Sequence, residues 1–225
     1  LFGFYDPNST FKESSIEEAI NALSLNGSRN HTIQRSEQWI FARANETKPF
    51  ENLSLLSGFE DESLNYAKAY FDRDQNLILE TDLYGLRPLY YAHQNQTFIF
   101  SSEIEPLLEL LNPNLSLDID CIKSYLRSGI TKEGETFFNE VRLLKPNTKL
   151  IFNGEKVSFE KKQHPFQKSI QSSLLDIKLT LEHSLQSWIE KYNVRAANLS
   201  AGADTRLLLS LLTPKQRKDF IFYVD

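Results

Sequence analysis

The pattern of apolar and polar positions changes once along the chain, near residue 163. Before that point, apolar residues alternate with polar ones or form short blocks, and Asn, Asp, Gly and Gln separate the blocks. Such segments predict β-strands. Those between residues 65 and 102 follow one another at about ten-residue spacing, which indicates an antiparallel meander. The predicted strands are residues 2–5, 38–42, 65–71, 77–81, 89–92, 97–102, 141–144, 150–152 and 157–159.

Short helices are predicted among these strands. The first begins at Ser14, where acidic residues occupy the first turn, and ends at Asn26-Gly27. Two more cover residues 104–111 and 119–126, and Leu117-Asp118 opens the second of these. Residues 45–62 are polar and irregular in period, and they predict no element.

A different pattern follows the polar stretch Gln163-His164-Pro165. Between residues 170 and 189 apolar residues recur at steps of three and four, which predicts an amphipathic helix packed on one face. A helix of this kind leading into a parallel strand indicates a new α/β domain. The domain prediction is therefore residues 1–163 and 164–225. The later elements are predicted as a short buried strand at 194–199, a tight turn at 200–203, a helix at 205–212 and a second parallel strand at 220–224.

Composition and charge exclude several classes of function. Hydrophobic residues make up 40% of the chain and charged residues 24%, as in ordinary globular proteins. The net charge is −5 and no basic run exceeds Lys161-Lys162, so no nucleic-acid partner is expected. No apolar stretch approaches the roughly 18 residues of a membrane span. We expect a cytoplasmic protein without a membrane partner, and self-association into a homo-oligomer is compatible with this sequence.

Cysteine and histidine offer little reactive chemistry. Cys121 is the single cysteine, so a disulfide framework and a cysteine metal site are excluded. It shares an apolar helix face with Leu117 and Tyr125, which favours the role of a small core residue. The four histidines are scattered and show no ligand spacing.

The stretch with the clearest chemistry lies between the strand at 194–199 and the helix at 205–212. A strand, a turn of small residues and a helix N-terminus together present free backbone N–H groups to an anion. Asp204 places a carboxylate beside them, which suits Mg²⁺ carried by a phosphate. The alternative is an ordinary βα turn with small residues. The candidate cofactor-binding residues are Ser200, Ala201, Gly202, Ala203, Asp204 and Thr205, and Asp204 is the candidate metal ligand.

This stretch resembles the pyrophosphate-binding loop of the N-type ATP pyrophosphatases, Ser-Gly-Gly-x-Asp-Ser. Two positions depart from that pattern. Ala201 replaces a glycine, which matters only if the backbone there needs a positive φ. Thr205 replaces a serine and keeps the hydroxyl group.

Three earlier stretches are similar to segments of class II glutamine amidotransferases, in the same order along the chain. Residues 82–91 resemble the Arg-Asp-x-x-Gly-x-x-Pro-Leu-Tyr-Tyr signature. Residues 98–104 resemble the strand-to-helix step that follows it, and residues 136–147 resemble a late Thr-Phe…Leu-x-Pro-Gly segment. With the loop at Ser200 they resemble an asparagine-synthetase-type protein over roughly residues 65–225. Residues 10–64 match that family poorly.

The resemblance implies an α+β front domain, an Ntn-hydrolase-like αββα sandwich, followed by the beginning of an α/β parallel-sheet ATP pyrophosphatase domain. It also implies ATP and Mg²⁺ as cofactors, adenylation of a small-molecule or peptide carboxylate, and attack by an amine or ammonia. Phe2 stands where the family has its nucleophilic cysteine, and a phenyl ring cannot attack an amide. We therefore expect no glutaminase activity, as in the branch that includes β-lactam synthetases and lasso-peptide cyclases.

Three functions stay open at this point. The first is part of an ATP-dependent amide-forming ligase with a non-catalytic front domain. The second is a scaffold or partner-binding remnant of that family, and the third is another ATP pyrophosphatase, such as a tRNA-modifying one. Only 25 residues follow Ser200, whereas a βαβ unit needs about 30 or more. We therefore expect the front part of a longer ligase or a degenerate remnant.

Overall fold

The computed structural model describes residues 1–23, 31–36, 38–44, 65–162 and 172–224, together with the backbone of residues 55–58. The chain divides into two compact units, Leu1–Pro165 and Phe166–Asp225. The predicted helix end at Asn26-Gly27 and the polar stretch at Gln163-His164-Pro165 lie outside the described residues.

The first unit is built from strands joined by short helices. Its described elements, in chain order, are β1 (Phe2–Tyr5), α1 (Glu13–Ala22), β2 (His31–Arg35), β3 (Trp39–Ala44), β4 (Leu55–Gly58), β5 (Tyr66–Phe71), β6 (Leu77–Thr81), β7 (Tyr90–Gln94), β8 (Thr97–Ser101), α2 (Glu105–Leu111), α3 (Ile119–Ser128), β9 (Arg142–Leu143), β10 (Thr148–Phe152) and β11 (Val157–Lys161). The alternating segments predicted as strands are strands here, and sequence pattern did not predict β2 or β4.

The strands form two antiparallel sheets. The six-stranded sheet has the order β2-β3-β1-β8-β7-β9, and the five-stranded sheet has the order β11-β10-β6-β5-β4. The predicted meander is therefore wrong as a single sheet, because β5-β6 and β7-β8 are hairpins of different sheets. The other edge of β6 pairs with β10 from much later in the chain. Spacing along the sequence identifies hairpins, but it does not reveal such a distant partner.

Two apolar layers hold this unit together. The side chains of Phe41, Leu79 and Phe98 belong to a core cluster that draws residues from both sheets. A second cluster joins the six-stranded sheet to α1 and α2 and includes Ile16 and Leu107. The mixed α/β architecture with antiparallel sheets fits an Ntn-like domain. Of the predicted αββα sandwich, these clusters account for one helical layer and two sheets in the described part of this unit.

The second unit contains α4 (Leu174–Tyr192), β12 (Ala196–Asn198), α5 (Ala203–Ser210), α6 (Pro214–Asp219) and β13 (Ile221–Tyr223). Strands β12 and β13 run parallel, as predicted, and pair Ala197 with Phe222. Ser173 and Asp176 form a capping box at the start of α4. Sequence pattern did not predict α6.

Two predictions about burial in this unit are wrong. The strand at 194–199 is not buried, because in the described residues β12 pairs with β13 alone and Ala196 and Asn198 are exposed. Among the described residues, the apolar face of α4 is packed near its C-terminal end, where Ile189 is 4% exposed and Leu185 contacts the same cluster. Toward the start of the helix, Leu174 is 87% exposed. Helical period shows which residues share a face, and it does not show whether that face is covered.

Candidate functional site

The loop between β12 and α5 has the predicted strand–turn–helix form. Gly202 is the N-cap residue of α5, with φ −67° and ψ 154°. The hydroxyl oxygens of Ser200 and Thr205 lie 2.7 Å apart, and the Gly202 N–H donates to Ser200 Oγ at 3.2 Å. The hydroxyl pair therefore closes the turn over the start of the helix. Ala201 is not among the residues with positive φ, so replacement of the family glycine by alanine causes no backbone strain there.

The first turn of α5 offers hydrogen-bond donors to a ligand. The N–H groups of Ala203, Asp204 and Thr205 precede the first intrahelical bond, in which the Arg206 N–H donates to the Gly202 carbonyl at 3.4 Å. In the described part of the chain no hydrogen bond uses these three groups. Asp204 is exposed beside them in the same turn. The turn can thus receive an anion approaching from solvent.

The donor set around Asp204 suits a metal only together with a phosphate. Within the described ranges no group of three or more His, Cys, Asp or Glu side chains could hold a metal ion. Mg²⁺ is commonly bound through one or two carboxylates plus phosphate oxygens and water. One carboxylate beside free N–H groups therefore fits a magnesium–nucleotide complex and does not fit a free metal ion.

Phe2 lies in the core at the centre of the six-stranded sheet. Its side chain is fully buried, and its backbone pairs with Ala42 of β3 and Ser101 of β8. The ring packs 5.8 Å from the Phe4 ring, centroid to centroid, in the cluster that faces α1 and α2. The position thus carries an inert, sealed side chain.

Cys121 is a core residue, as predicted from its helical position. Its side chain is 1% exposed on α3, where its N–H donates to the capping carboxyl group of Asp118. Burial, with Asp118 and Glu135 nearby, raises the pKa of the Cys121 thiol. The thiolate that a nucleophile requires is therefore disfavoured at neutral pH.

The amidotransferase-like signature at residues 82–91 organises the backbone between the two sheets. The Asp82 side chain is completely buried and accepts hydrogen bonds from the N–H groups of Tyr66, Tyr84 and Leu86. Its carbonyl oxygen accepts from the Asn147 N–H at 2.8 Å. Asp82 therefore fixes the loop by which the chain passes from one sheet to the other.

The second amidotransferase-like stretch holds the first strand in place. The Leu1 carbonyl accepts hydrogen bonds from the Ser102 N–H at 2.8 Å and from Ser101 Oγ at 3.0 Å. Burial raises the pKa of Glu103, the next residue. Ser101 and Ser102 of this stretch thus connect the end of β8 to the residue that precedes β1.

One ionisable cluster had no signal in the sequence. Lys162 Nζ donates to Glu80 Oε1 at 2.7 Å and also to the Tyr66 hydroxyl, and that hydroxyl donates to Glu80 Oε1 at 2.7 Å. Burial alone would raise the pKa of Glu80, but hydrogen bonds from Lys162 and Tyr66 outweigh it and lower that pKa. Burial raises the pKa of Tyr70, whose hydroxyl donates to Glu80, to about 12. The cluster fastens the residue after β11 to β5 and β6.

Comparison with known proteins shows what part of the first unit is similar to. Residues 61–165 match the model of the glutamine amidotransferase domain. Two proteins assigned as glutamine-hydrolysing asparagine synthetases 1 and 2 of Methanocaldococcus jannaschii are 28% identical over 116 residues and 23% identical over 157 residues. These alignments cover 49% and 65% of this chain, but only 19% and 30% of the two relatives.

A likeness among solved structures is weaker. Glutamine phosphoribosylpyrophosphate amidotransferase from B. subtilis aligns over 71% of this chain and 32% of its own, with 13% identity and a TM-score of 0.29. The family match and the two relatives support a glutamine amidotransferase-like domain over residues 61–165 and a relationship to asparagine synthetases. No helix in the described ranges is long and apolar enough to cross a membrane.

Proposed function

We propose that this chain is part of an asparagine-synthetase-related ligase that uses ATP to form an amide. The observation that carries the proposal is the strand–turn–helix at residues 200–205, which follows a glutamine amidotransferase-like unit in the same chain. The relationship to asparagine synthetases supports ATP as the cofactor. The turn at residues 200–205 supports it too, because the turn can receive an anion such as a phosphate. The proposed cofactors are ATP and Mg²⁺, and the proposed partner is a small-molecule or peptide carboxylate.

Different residues of the loop hold different parts of the nucleotide complex. The N–H groups of Ala203 and Asp204 donate to phosphate oxygens, and the α5 dipole adds partial positive charge. The hydroxyl groups of Ser200 and Thr205 reorient from each other toward the same oxygens. Asp204 would hold the magnesium ion, and that ion would supply positive charge that stabilises pyrophosphate as a leaving group. Ala201 and Gly202 keep the approach to the backbone open.

The front unit acts without glutamine hydrolysis in this proposal. Phe2 provides no nucleophile, and Cys121 is a buried thiol with a raised pKa. The nitrogen of the new amide then comes from free ammonia or from an amine in the substrate. The front unit serves as a structural partner of the ligase.

A scaffold that has lost both activities is the second candidate. The observation that favours it is the hydroxyl pair of Ser200 and Thr205, which closes the turn by itself at 2.7 Å. A turn satisfied in this way forms without a nucleotide. The candidate predicts a folded loop and no response to ATP.

Exchange of pyrophosphate into ATP separates the two candidates. The protein purified from its natural source is incubated with Mg·ATP, labelled pyrophosphate and a panel of amino-acid and peptide carboxylates. The ligase account expects exchange with at least one carboxylate, and it expects Asp204→Ala to lower the rate about 100-fold or more. Exchange that is unchanged in Asp204→Ala, or absent with every carboxylate, contradicts the ligase. Glutamate release from glutamine is measured in parallel and is expected to be absent.

A further inference from the structure

A cavity in the first unit lies between the edge strands of its two sheets. Its volume is about 710 Å³, and its walls come from β9, β11 and the segment of residues 133–146. Strand β9 is the last strand of the six-stranded sheet and β11 that of the five-stranded sheet. Its lining residues in the described part of the chain belong to the first unit, and the proposed ligase chemistry does not use them.

The charges around this cavity favour an anion. Arg142, Lys145 and Lys161 line it, with Glu133 and Glu135 as the acidic side chains. The two acids have other partners, because Glu133 lies 3.9 Å from Lys145 and Glu135 lies 4.0 Å from Lys132. In the described part of the chain, Arg142 and Lys161 form no ion pair. Two cations therefore remain available to a ligand.

The hydrogen bonding of Arg142 also favours an anion in the cavity. Its Nη1 atom is buried and has no hydrogen-bond acceptor among the described residues. The nearby carboxyl group of Glu140 is bound by the hydroxyl and the N–H of Ser116, at 2.6 and 2.9 Å. A buried polar group without a partner is destabilising unless another molecule satisfies it. An oxyanion in the cavity would supply that acceptor.

One wall of the cavity is aromatic. The rings of Tyr91 and Phe159 lie 6.1 Å apart, centroid to centroid, and join β7 of one sheet to β11 of the other. Phe159 is 55% exposed. Phe159 and Lys161 stand two residues apart on β11, so they share one face of the strand. A ligand can thus meet a ring and a cation at once.

Another part of the cavity lining is the turn at Gly134. The Leu143 N–H donates to the Gly134 carbonyl at 3.2 Å, and Gly134 has φ +86°. A Cβ on Gly134 would lie 3.1 Å from Lys145 Cε, so a side chain there would press on the lysine that lines the cavity. Glycine at this position therefore keeps both the turn and the space.

We propose that this cavity binds a small organic anion with a flat apolar part. Its carboxylate or phosphate group bonds to Arg142 and Lys161, and its flat part lies against Phe159 and Tyr91. The site is a second ligand site of the protein, in the amidotransferase-like unit.

Three probes and matched variants test this assignment by calorimetric titration of the purified protein. Phenyl phosphate carries both recognition elements, inorganic phosphate carries the anion alone, and benzyl alcohol carries the ring alone. We expect phenyl phosphate to bind with Kd of about 0.1–1 mM and each of the other probes to bind about 10-fold or more weakly. Equal affinity for phenyl phosphate and either partial probe overturns the proposal.

The variants locate the binding in the molecule. Arg142→Gln and Lys161→Gln are each expected to weaken phenyl phosphate about 10-fold. Lys156→Gln, which removes the same charge from the same hairpin outside the cavity, is expected to change nothing. Phe159→Ala is expected to reduce phenyl phosphate to the affinity of inorganic phosphate. Thermal unfolding confirms that each variant is folded. If Arg142→Gln unfolds, the variants at Phe159 and Lys161 still test the site, because both residues are exposed. Lys161→Gln with no more effect than Lys156→Gln overturns the site.

Discussion

Gly85 and Pro146 come from two separate stretches that resemble the amidotransferases, and they meet in the structure. A Cβ on Gly85 would lie 3.0 Å from Pro146 Cγ, and Gly85 has φ +63°. Both the left-handed backbone and the close contact require glycine. The two stretches are therefore parts of one loop-to-loop contact, which fixes the passage of the chain between the sheets.

Gly85→Ala tests that contact. We expect it to lower the free energy of unfolding by about 2–4 kcal/mol, from backbone strain and from pressure on Pro146. Gly129→Ala is the matched control, because Gly129 has φ +74° but a Cβ added there would meet nothing within 4 Å. That variant should lose about 1–2 kcal/mol from strain alone. Chemical denaturation measures both, and equal losses would show that the contact with Pro146 contributes nothing.

Asp82→Ala tests the buried carboxyl group that accepts hydrogen bonds from the same loop. The change leaves the N–H groups of Tyr66, Tyr84 and Leu86 without their acceptor in the core, so we expect a loss of about 3–5 kcal/mol. Asp72→Ala serves as the control, because Asp72 also accepts from backbone N–H groups, at 2.9 Å, but at a turn that water can reach. Its loss is expected to be about 1 kcal/mol. Similar losses in urea denaturation would contradict the role given to burial.

The Glu80 cluster predicts a pH dependence of stability. The folded protein lowers the pKa of Glu80 below its ordinary value of 4.5, since the hydrogen bonds from Lys162 and Tyr66 outweigh the effect of burial. The contribution of the ionised group is therefore present above about pH 4.5 and is lost as the pH falls through the folded value. Glu80→Gln should lower stability at pH 7 by about 1–2 kcal/mol. It should also flatten the fall in stability between about pH 5 and pH 3.

Glu160→Gln is the control for this pH dependence. Glu160 is 61% exposed in its ion pair with Lys149, so solvent screens the pair and little change is expected. The measurement is denaturant unfolding at a series of pH values. If the stability of Glu80→Gln falls between about pH 5 and pH 3 as steeply as that of the unmodified protein, the cluster does not control this pH dependence.

The glycine and alanine of the loop at 200–205 are predicted to differ in importance. Gly202→Val places a branched side chain at the N-cap of α5, where even a Cβ lies 3.2 Å from Ser200 Oγ. We expect it to weaken Mg·ATP binding about 10-fold or more, because the side chain blocks the N–H groups. Ala201→Gly should stay within about 2-fold, since Ala201 needs no positive φ. Fluorescent-nucleotide titration compares them, and a large gain in Ala201→Gly would show that the family glycine matters.

Local patterns predicted much of this fold, whereas distant partners could not be predicted. The period and turn residues around β8 and around the strands predicted at 150–152 and 157–159 involve neighbours in sequence, and those elements are confirmed. The pairing of β6 with β10, and the bond from Lys162 to Glu80, join residues far apart in the chain and leave no periodic signal.

The candidate sites differ in the same way. The strand–turn–helix around Gly202 follows from small residues between two periodic segments, and it is visible in the sequence. Arg142 stands in a two-residue strand, and nothing local indicates its buried nitrogen or its cavity. The exposure of Leu174 could not be predicted either, because helical period alone does not show whether a face is covered.

Direct binding of Mg·ATP tests the central claim most simply. Calorimetric titration of the protein from its natural source is expected to show saturable binding that needs Mg²⁺, while Mg²⁺ alone produces no signal, because Asp204 is the only carboxylate of the loop at 200–205. Asp204→Asn should weaken Mg·ATP about 10-fold or more, and Asp219→Asn, in the same unit at the end of α6, should not. Absent binding, or equal binding by the two variants, would contradict the nucleotide site.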